Sequence, residues 1–211
     1  MAIIAVFDLD GTLIDSMPSF SAVMKSIPQD AGFPADDALV DAVTPLGYLK
    51  SAEYFAAMGV PATVEDILKT IDERLYRAYS ETIVLKEGVF DMLHRLSAEG
   101  ARLFVLTASP HRMTDTCLKR NGVFDLFEEV WSVDDFGINK TNPALFVAVA
   151  ERIGCKASDI RFFDDNLTAI TTAEKAGVIT YGVCDRQSPE TIETLKATAR
   201  YFVSTFKEWN V

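Results

Sequence analysis

Near its N-terminus the chain reads Ala2-Ile3-Ile4-Ala5-Val6-Phe7-Asp8-Leu9-Asp10-Gly11-Thr12-Leu13. An apolar run that stops abruptly at polar residues and a turn is typical of a strand buried on both faces, as in a parallel sheet. In open α/β sheets, ligands bind beyond the carboxyl ends of such strands. The run therefore predicts a buried strand with Asp8 and Asp10 at its ligand-binding end.

The two carboxylates are predicted to point the same way, because side chains two residues apart on an extended segment share a face. Like charges held close together repel each other unless a proton or a cation relieves them. Mg²⁺ suits such a place because it prefers carboxylate, carbonyl and water oxygens. Gly11 can adopt the backbone angles of a tight turn. A plain strand followed by an Asp-Gly turn is the simpler alternative.

Later segments of the chain alternate between strand and helix patterns. Further strands are predicted at 102–107, 130–132, 160–163, 179–183 and 201–203, and Ser109 is predicted to cap a helix that starts at Pro110. Strands that alternate with helices indicate a parallel sheet with right-handed crossovers. The sequence therefore predicts an α/β fold.

The stretch from about Ser16 to Ile83 has no strand pattern. Apolar residues at helical spacing predict one helix over 63–79, and another is predicted over 48–58, ended by Gly59. An all-helical insertion directly after a strand is a candidate for a separate domain.

Composition limits the possible partners. The 211 residues suffice for one domain plus a small second one, and the net charge of −11 disfavours a nucleic-acid partner. The three cysteines are scattered and match neither a disulfide framework nor a zinc site. Neither a basic leader nor a stretch long enough to cross a bilayer is evident, so we expect a cytoplasmic protein without a membrane partner.

Three later segments place chemically useful side chains at strand ends or in loops. The Thr107 hydroxyl and the backbone N–H groups that follow it could hold a phosphoryl oxygen, and Lys140 could stabilise its charge. Asp164 and Asp165 add carboxylates for a metal. Each has a simpler alternative, because a strand-end Thr is usually structural, a loop Lys is usually solvated and an Asp-Asp-Asn run often caps a helix.

Taken together, these segments resemble the four motifs of the haloacid dehalogenase superfamily, in its phosphatase and β-phosphoglucomutase-like branch. Asp8-Leu9-Asp10-Gly11-Thr12-Leu13 resembles motif one, Thr107 matches motif two, Lys140 motif three and Asp164-Asp165 motif four. The resemblance implies a Rossmann-like core with helices on both faces of the sheet, made of residues 1–15 and 84–211. It also implies that residues 16–83 form a helical cap domain between motifs one and two.

The resemblance implies a mechanism for these residues. Asp8 would attack the phosphorus of a phosphomonoester to form an aspartyl-phosphate, and Asp10 would act as general acid and then general base. Mg²⁺ would be held by Asp8, the Asp10 backbone carbonyl and Asp165. Dehalogenase relatives lack an acid at the position of Asp10, which speaks against carbon–halogen chemistry.

The chain departs from the family pattern in two motifs. Thr141 follows Lys140, where relatives often have Pro, and Ala169 stands where many relatives have Asp or Asn. Asp164 stands where many relatives have Gly, and it could supply the missing metal ligand. Of the two adjacent carboxylates, Asp165 is the preferred metal ligand.

The resemblance implies that the substrate is a small phosphorylated metabolite. It also implies that the protein is a monomer or weak dimer. Thr107, Ala108 and Lys140 would hold its phosphoryl group, and Tyr48 and Lys50 in the 44–50 loop would grip the leaving group. A solvated helix–helix connection is the alternative for Lys50. A sugar phosphomutase of the β-phosphoglucomutase type is the alternative enzyme, and a catalytically silent binding module is a third possibility that Asp8 and Asp10 disfavour.

Overall fold

The computed structural model describes residues 2–207 and Trp209, with the backbone alone described for Pro45. Contacts divide the chain into two compact units. One unit consists of Met1–Asp15 and Val84–Val211, and the other of Ser16–Ile83. All strands of the described residues belong to the first unit.

The Ser16–Ile83 unit is helical wherever it has regular structure. Its helices are α1 (Met17–Asp30), α2 (Asp37–Val43), α3 (Tyr48–Met58) and α4 (Val64–Glu81). The side chain of Thr63 caps α4 by accepting the Asp66 N–H, and Gly59 ends α3 in a left-handed conformation that glycine adopts without strain. The two helices predicted here are therefore confirmed to within two residues at each end.

The other unit is built on a parallel sheet. Its strands are β1 (Ile4–Phe7), β2 (Arg102–Thr107), β3 (Glu129–Ser132), β4 (Ile160–Asp164), β5 (Ile179–Val183) and β6 (Tyr201–Val203). Over the described residues, the six strands pair in the order β3-β2-β1-β4-β5-β6. The predicted α/β fold with a parallel sheet is confirmed, and β1 lies between β2 and β4.

Helices connect the strands of this sheet. They are α5 (Val89–Ala98), α6 (His111–Arg120), α7 (Ala144–Ile153), α8 (Leu167–Lys175) and α9 (Pro189–Thr198). Among the described helices, none combines the length and the apolar character needed to cross a membrane.

Both faces of β1 are buried, which explains why its sequence is apolar throughout instead of alternating. On one face, Val6 belongs to a buried cluster that includes Phe104 and Phe162 from the neighbouring strands and Phe146 from α7. On the other face, the ring of Phe7 stacks on that of Phe163 with centroids 4.6 Å apart.

That second face carries a row of four stacked rings. The parallel register aligns Phe7 with Phe163, Phe163 with Tyr181, and Tyr181 with Tyr201. The two further stacks have centroid distances of 4.4 Å and 4.8 Å, close to the spacing of about 4.8 Å between strands. The row of rings packs across β1, β4, β5 and β6 on this face of the sheet.

Candidate active site

The ends of three adjacent strands bring the predicted site residues together. Asp8 follows directly after β1, Thr107 is the last residue of β2, and Asp164 is the last residue of β4. Because the strands are parallel neighbours, their carboxyl ends meet at one edge of the sheet. The side chains of all three residues are buried.

Three carboxylates meet at this edge. One oxygen each from Asp8, Asp164 and Asp165 lies within 4.8 Å of the other two. Asn166, not either aspartate, caps α8, since its side chain accepts the N–H groups of Thr168 and Ala169. The helix-cap alternative therefore applies to Asn166, and the two aspartates remain available to the cluster.

Lys140 reaches into the cluster from the loop before α7. Its side chain is only 12% exposed, and Nζ donates hydrogen bonds to Asp8 Oδ1 and, at 2.8 Å, to Asp164 Oδ2. The solvated alternative for this lysine is therefore wrong. An ammonium that is mostly buried between two carboxylates offsets part of their repulsion.

The cluster holds more negative charge than Lys140 can balance. Burial, together with the charges of Asp164 and Asp10, raises the pKa of Asp8 to about 8, although Lys140 acts in the opposite direction. Burial and the charges of Asp164 and Asp8 also raise the pKa of Asp165 well above its ordinary value. Burial alone would lower the pKa of Lys140, but the two carboxylates raise it above its usual range.

This environment fits a hard divalent cation. All three side chains offer oxygen ligands, which Mg²⁺ prefers, and a cation would relieve the repulsion that raises the carboxylate pKa values. The predicted use of the Asp10 backbone carbonyl as a fourth ligand stays a prediction.

The turn after β1 is tightly packed against Asp165. Gly11 has a φ of 78°, and a Cβ added there would lie 2.8 Å from Asp165 Oδ2. The Thr12 hydroxyl donates a hydrogen bond to Asp165 Oδ1 at 3.3 Å. Glycine at this position therefore serves both the left-handed turn and the close approach of a carboxylate.

Asp10 is hydrogen-bonded to Ser109, a residue that the sequence predicted to cap a helix. The Ser109 hydroxyl donates to Asp10 Oδ2 at 2.6 Å. The helix expected to start at Pro110 begins at His111, with Pro110 in the capping position and no side-chain cap. The prediction of Ser109 as a helix cap is therefore wrong, because its hydroxyl bonds to a carboxylate 99 residues away in sequence.

Thr107 and the residues after it form a short polar turn. The Thr107 side chain is buried, and its Oγ1 accepts the backbone N–H of Ser109 at 3.0 Å. Ala108, between them, is exposed. The turn lies at the end of β2, beside the strand that leads to Asp8.

The 44–50 segment, predicted as a loop of the helical unit, is largely helical, because Thr44–Leu46 form a short 3-10 helix and α3 begins at Tyr48. Tyr48 is the first residue of α3, with its ring 6.5 Å from that of Phe20, and Lys50 is exposed. The side chain of Pro45, in the same segment, lies outside the described part of the chain. Substrate binding by Tyr48 and Lys50 stays a prediction.

Comparisons with known proteins identify the family of the chain. Residues 5–183 match the model of the haloacid dehalogenase-like hydrolase family. The chain is 29% identical over 203 residues to a phosphoglycolate phosphatase of Rhodospirillum rubrum, covering 92% of this chain and 84% of the relative. It is 23% identical over 174 residues to a phosphorylated carbohydrates phosphatase of Thermotoga maritima, covering 82% of this chain and 81% of the relative.

The fold is also shared with a solved structure. A Thermotoga maritima protein assigned to the β-phosphoglucomutases superposes with a TM-score of 0.83 at 22% identity, covering 98% of this chain and 95% of the other. At that identity the likeness concerns the fold alone. The resemblance inferred from the four motifs is confirmed: the chain belongs to the haloacid dehalogenase-like hydrolase family.

Proposed function

We propose that this hydrolase is a Mg²⁺-dependent phosphatase acting on a small phosphomonoester. The observation that carries the proposal is the buried ion cluster, in which Lys140 bridges Asp8 and Asp164 and one oxygen of Asp165 lies within 4.8 Å of an oxygen of each. Relatives that match most of the chain are named phosphatases. Side chains with strongly shifted pKa values cluster at functional sites.

Asp8 is the proposed nucleophile. A carboxylate oxygen forms a bond to phosphorus while the bond from phosphorus to the ester oxygen breaks, giving an aspartyl-phosphate. Asp10 donates its proton to the departing alcohol oxygen. Asp10 then takes a proton from water, whose oxygen attacks the same phosphorus, releases inorganic phosphate and restores Asp8.

The neighbours of these two aspartates have supporting roles. The Ser109 hydroxyl, 2.6 Å from Asp10 Oδ2, orients the acid–base carboxylate. Lys140 offsets the charge that accumulates when a phosphate approaches Asp8. The Thr107 side chain and the backbone of Ala108, an exposed residue, would receive phosphoryl oxygens, and their position at the end of β2 supports this role.

Asp8, Asp165, Asp164 and the Asp10 backbone carbonyl are the proposed ligands of Mg²⁺. When bound, the ion would neutralise charge between the nucleophile and the phosphate. Asp165 is the better candidate of the adjacent pair. Both oxygens of Asp164 already accept strong hydrogen bonds, from Lys140 at 2.8 Å and from the Asn166 N–H at 2.7 Å. The two bonds to Asp165 are longer, at 3.3 Å and 3.4 Å.

The metal assignment predicts unequal effects of the two alanine variants. We expect Asp165→Ala to raise the Mg²⁺ concentration for half-maximal rate by at least about 100-fold, because loss of a ligand exceeds the 10–100-fold effect of losing a residue that only orients a ligand. Asp164→Ala should have the smaller effect on that concentration. Phosphate release would be followed during Mg²⁺ titration, with a chelator as the zero point. A larger effect of Asp164→Ala would reverse the assignment, and full activity in chelator would exclude the metal.

A mutase is the second candidate, supported by the fold shared with a protein assigned to the β-phosphoglucomutases. The two functions differ in the fate of the phosphoryl group. A screen of phosphorylated metabolites with purified protein and Mg²⁺ would measure inorganic phosphate and isomerised sugar phosphate in the same samples. Phosphate release supports the phosphatase, isomerisation without release supports the mutase, and neither product would support a silent binding module.

We further propose that residues 1–15 and 84–211 are the catalytic core and residues 16–83 a substrate-selecting cap. We also propose that the protein is cytoplasmic and that it is a monomer or a weak dimer. The support for the cap is that the chain leaves the core at Asp15, seven residues after Asp8, and forms a separate helical unit before returning at Val84. A lid of this kind excludes water and completes a site.

The cap proposal predicts substrate-dependent losses. Lys50→Ala and Tyr48→Ala should each lower kcat/KM for the preferred metabolite by about 10-fold, as the loss of one charged hydrogen bond of about 1.5 kcal/mol implies. Hydrolysis of p-nitrophenyl phosphate should stay nearly unchanged. Lys69→Ala, which alters an exposed lysine on α4, is the matched control. Equal losses on both substrates would instead show that this start of α3 supports the fold.

A further inference from the structure

A buried lysine outside the four motifs joins three parts of the α/β unit. Lys86 follows the return from the helical unit, and its side chain is only 19% exposed. Nζ donates to the backbone oxygens of Gly11 and Cys184, both at 2.7 Å, and to Asp185 Oδ1 at 2.9 Å. An ammonium has three protons, so all of its donor capacity is used. Lys86 therefore fastens the turn after β1 to the loop after β5.

The loop after β5 in turn contacts the proposed metal ligand. The Asp185 N–H donates to Gln187 Oε1 at 2.7 Å. Gln187 Nε2 donates to the backbone oxygen of Asp165 at 2.8 Å and to Asp165 Oδ2 at 3.4 Å. Because one end of the amide accepts a backbone N–H, the donor end is directed at Asp165.

The contact with Gln187 matters because neighbouring carboxylates repel the Asp165 carboxylate. It lies within 4.8 Å of two other carboxylates and packs on Gly11, whose missing Cβ makes room for it. Its other side-chain bond, from Thr12, is 3.3 Å long. The 2.8 Å bond from Gln187 fixes the backbone of Asp165, and the longer bond of 3.4 Å adds a donor that opposes rotation of the carboxylate away from the cluster.

We propose that Gln187 is a positioning residue that holds Asp165 in its metal-binding orientation, and that the Lys86–Asp185 ion pair holds the loop carrying Gln187. The inference rests on the proposed Mg²⁺ site. It assigns to the β5 loop, outside the four motifs, a part in setting metal affinity. Residues that orient a metal ligand from outside the coordination sphere typically change metal affinity by about 10–100-fold when they are replaced.

The test measures Mg²⁺ binding directly by isothermal titration calorimetry of the full chain. Gln187→Met keeps the length of the side chain and removes both polar atoms, so the Mg²⁺ Kd should rise by at least about 10-fold. The rate at saturating Mg²⁺ should stay within about 3-fold of wild type, since the ligand itself remains. Gln29→Met, which makes the same change at an exposed site in the helical unit, is the matched control.

Lys86→Met provides the second variant, with Lys207→Met as its control. Lys207 makes an exposed ion pair with Glu87 at 2.9 Å. Lys86→Met should weaken Mg²⁺ binding in the same direction as Gln187→Met, and the double variant should be weakened by less than the product of the two effects, because both act through one loop.

The outcomes separate this inference from the proposed function. Variants that melt at lower temperature without Mg²⁺ yet keep the wild-type Kd would show that the network is structural, and would overturn the inference alone. Wild-type protein that binds no Mg²⁺ would overturn the metal proposal and the inference with it. A raised Kd in Gln187→Met but not in Gln29→Met is the result that we expect.

Discussion

Replacing Asp8 by asparagine is expected to lower phosphate release by at least about 10⁴-fold while leaving the protein folded. The amide keeps the shape of the side chain and can still accept the hydrogen bond from Lys140, but it cannot form an aspartyl-phosphate. Asp41→Asn, the same change at an exposed position of α2, should leave the activity unchanged. Activity near wild type in Asp8→Asn would contradict the mechanism.

The same variant is expected to be more stable than wild type when metal is absent and the pH is high. The pKa of Asp8 is raised to about 8 from 3.8, so the protein loses stability as pH rises from about 4 to about 8, where the unfolded carboxyl ionises while the buried one keeps its proton. Asparagine cannot ionise and avoids that loss. At pH 8, in chelator, the Tm of Asp8→Asn should be higher by at least about 4 °C.

That gain in Tm should disappear near pH 4, where Asp8 becomes protonated in the unfolded protein as well as in the folded one. Thermal melts at pH 4, 6 and 8 would measure the trend. A Tm difference that is constant with pH would mean that relief of charge is not its cause.

Lys140→Met is expected to damage both activity and stability. Loss of the cation beside Asp8 should lower kcat by about 10²–10³-fold, as the loss of one stabilising donor at a reacting centre does. In the metal-free protein, two buried carboxylates would lose their shared partner. Removing one side of a buried ion pair typically destabilises by about 3–5 kcal/mol, which here corresponds to a fall in Tm of roughly 10 °C.

The destabilisation of Lys140→Met should also depend on pH. It should be smaller at pH 5 than at pH 8, because Asp8, with its pKa raised to about 8, is protonated at the lower pH and needs no partner. Lys207→Met, which removes an exposed ion pair, should change stability by less than about 1 kcal/mol at either pH. Wild-type kcat in Lys140→Met would remove this lysine from the proposed chemistry.

Local patterns of the sequence determined the fold and most of the secondary structure. The continuous apolar run before Asp8 identified a strand buried on both faces, because only such a strand has no exposed side to keep polar. Thr63 and Gly59 bounded two helices because capping and left-handed turns depend on single side chains. The motif order placed Asp8, Thr107 and Asp164 at three strand ends, where parallel topology brings them together.

The tertiary structure decided which polar groups are paired, since those partners are distant in sequence. Lys140 and Asp8 are separated by 132 residues, Ser109 and Asp10 by 99, and Lys86 and Asp185 by 99. No local pattern distinguishes a buried loop lysine from a solvated one, because its burial depends on carboxylates contributed by other strands. The row of rings from Phe7 to Tyr201 likewise depends on strand register, which is set only when the sheet is assembled.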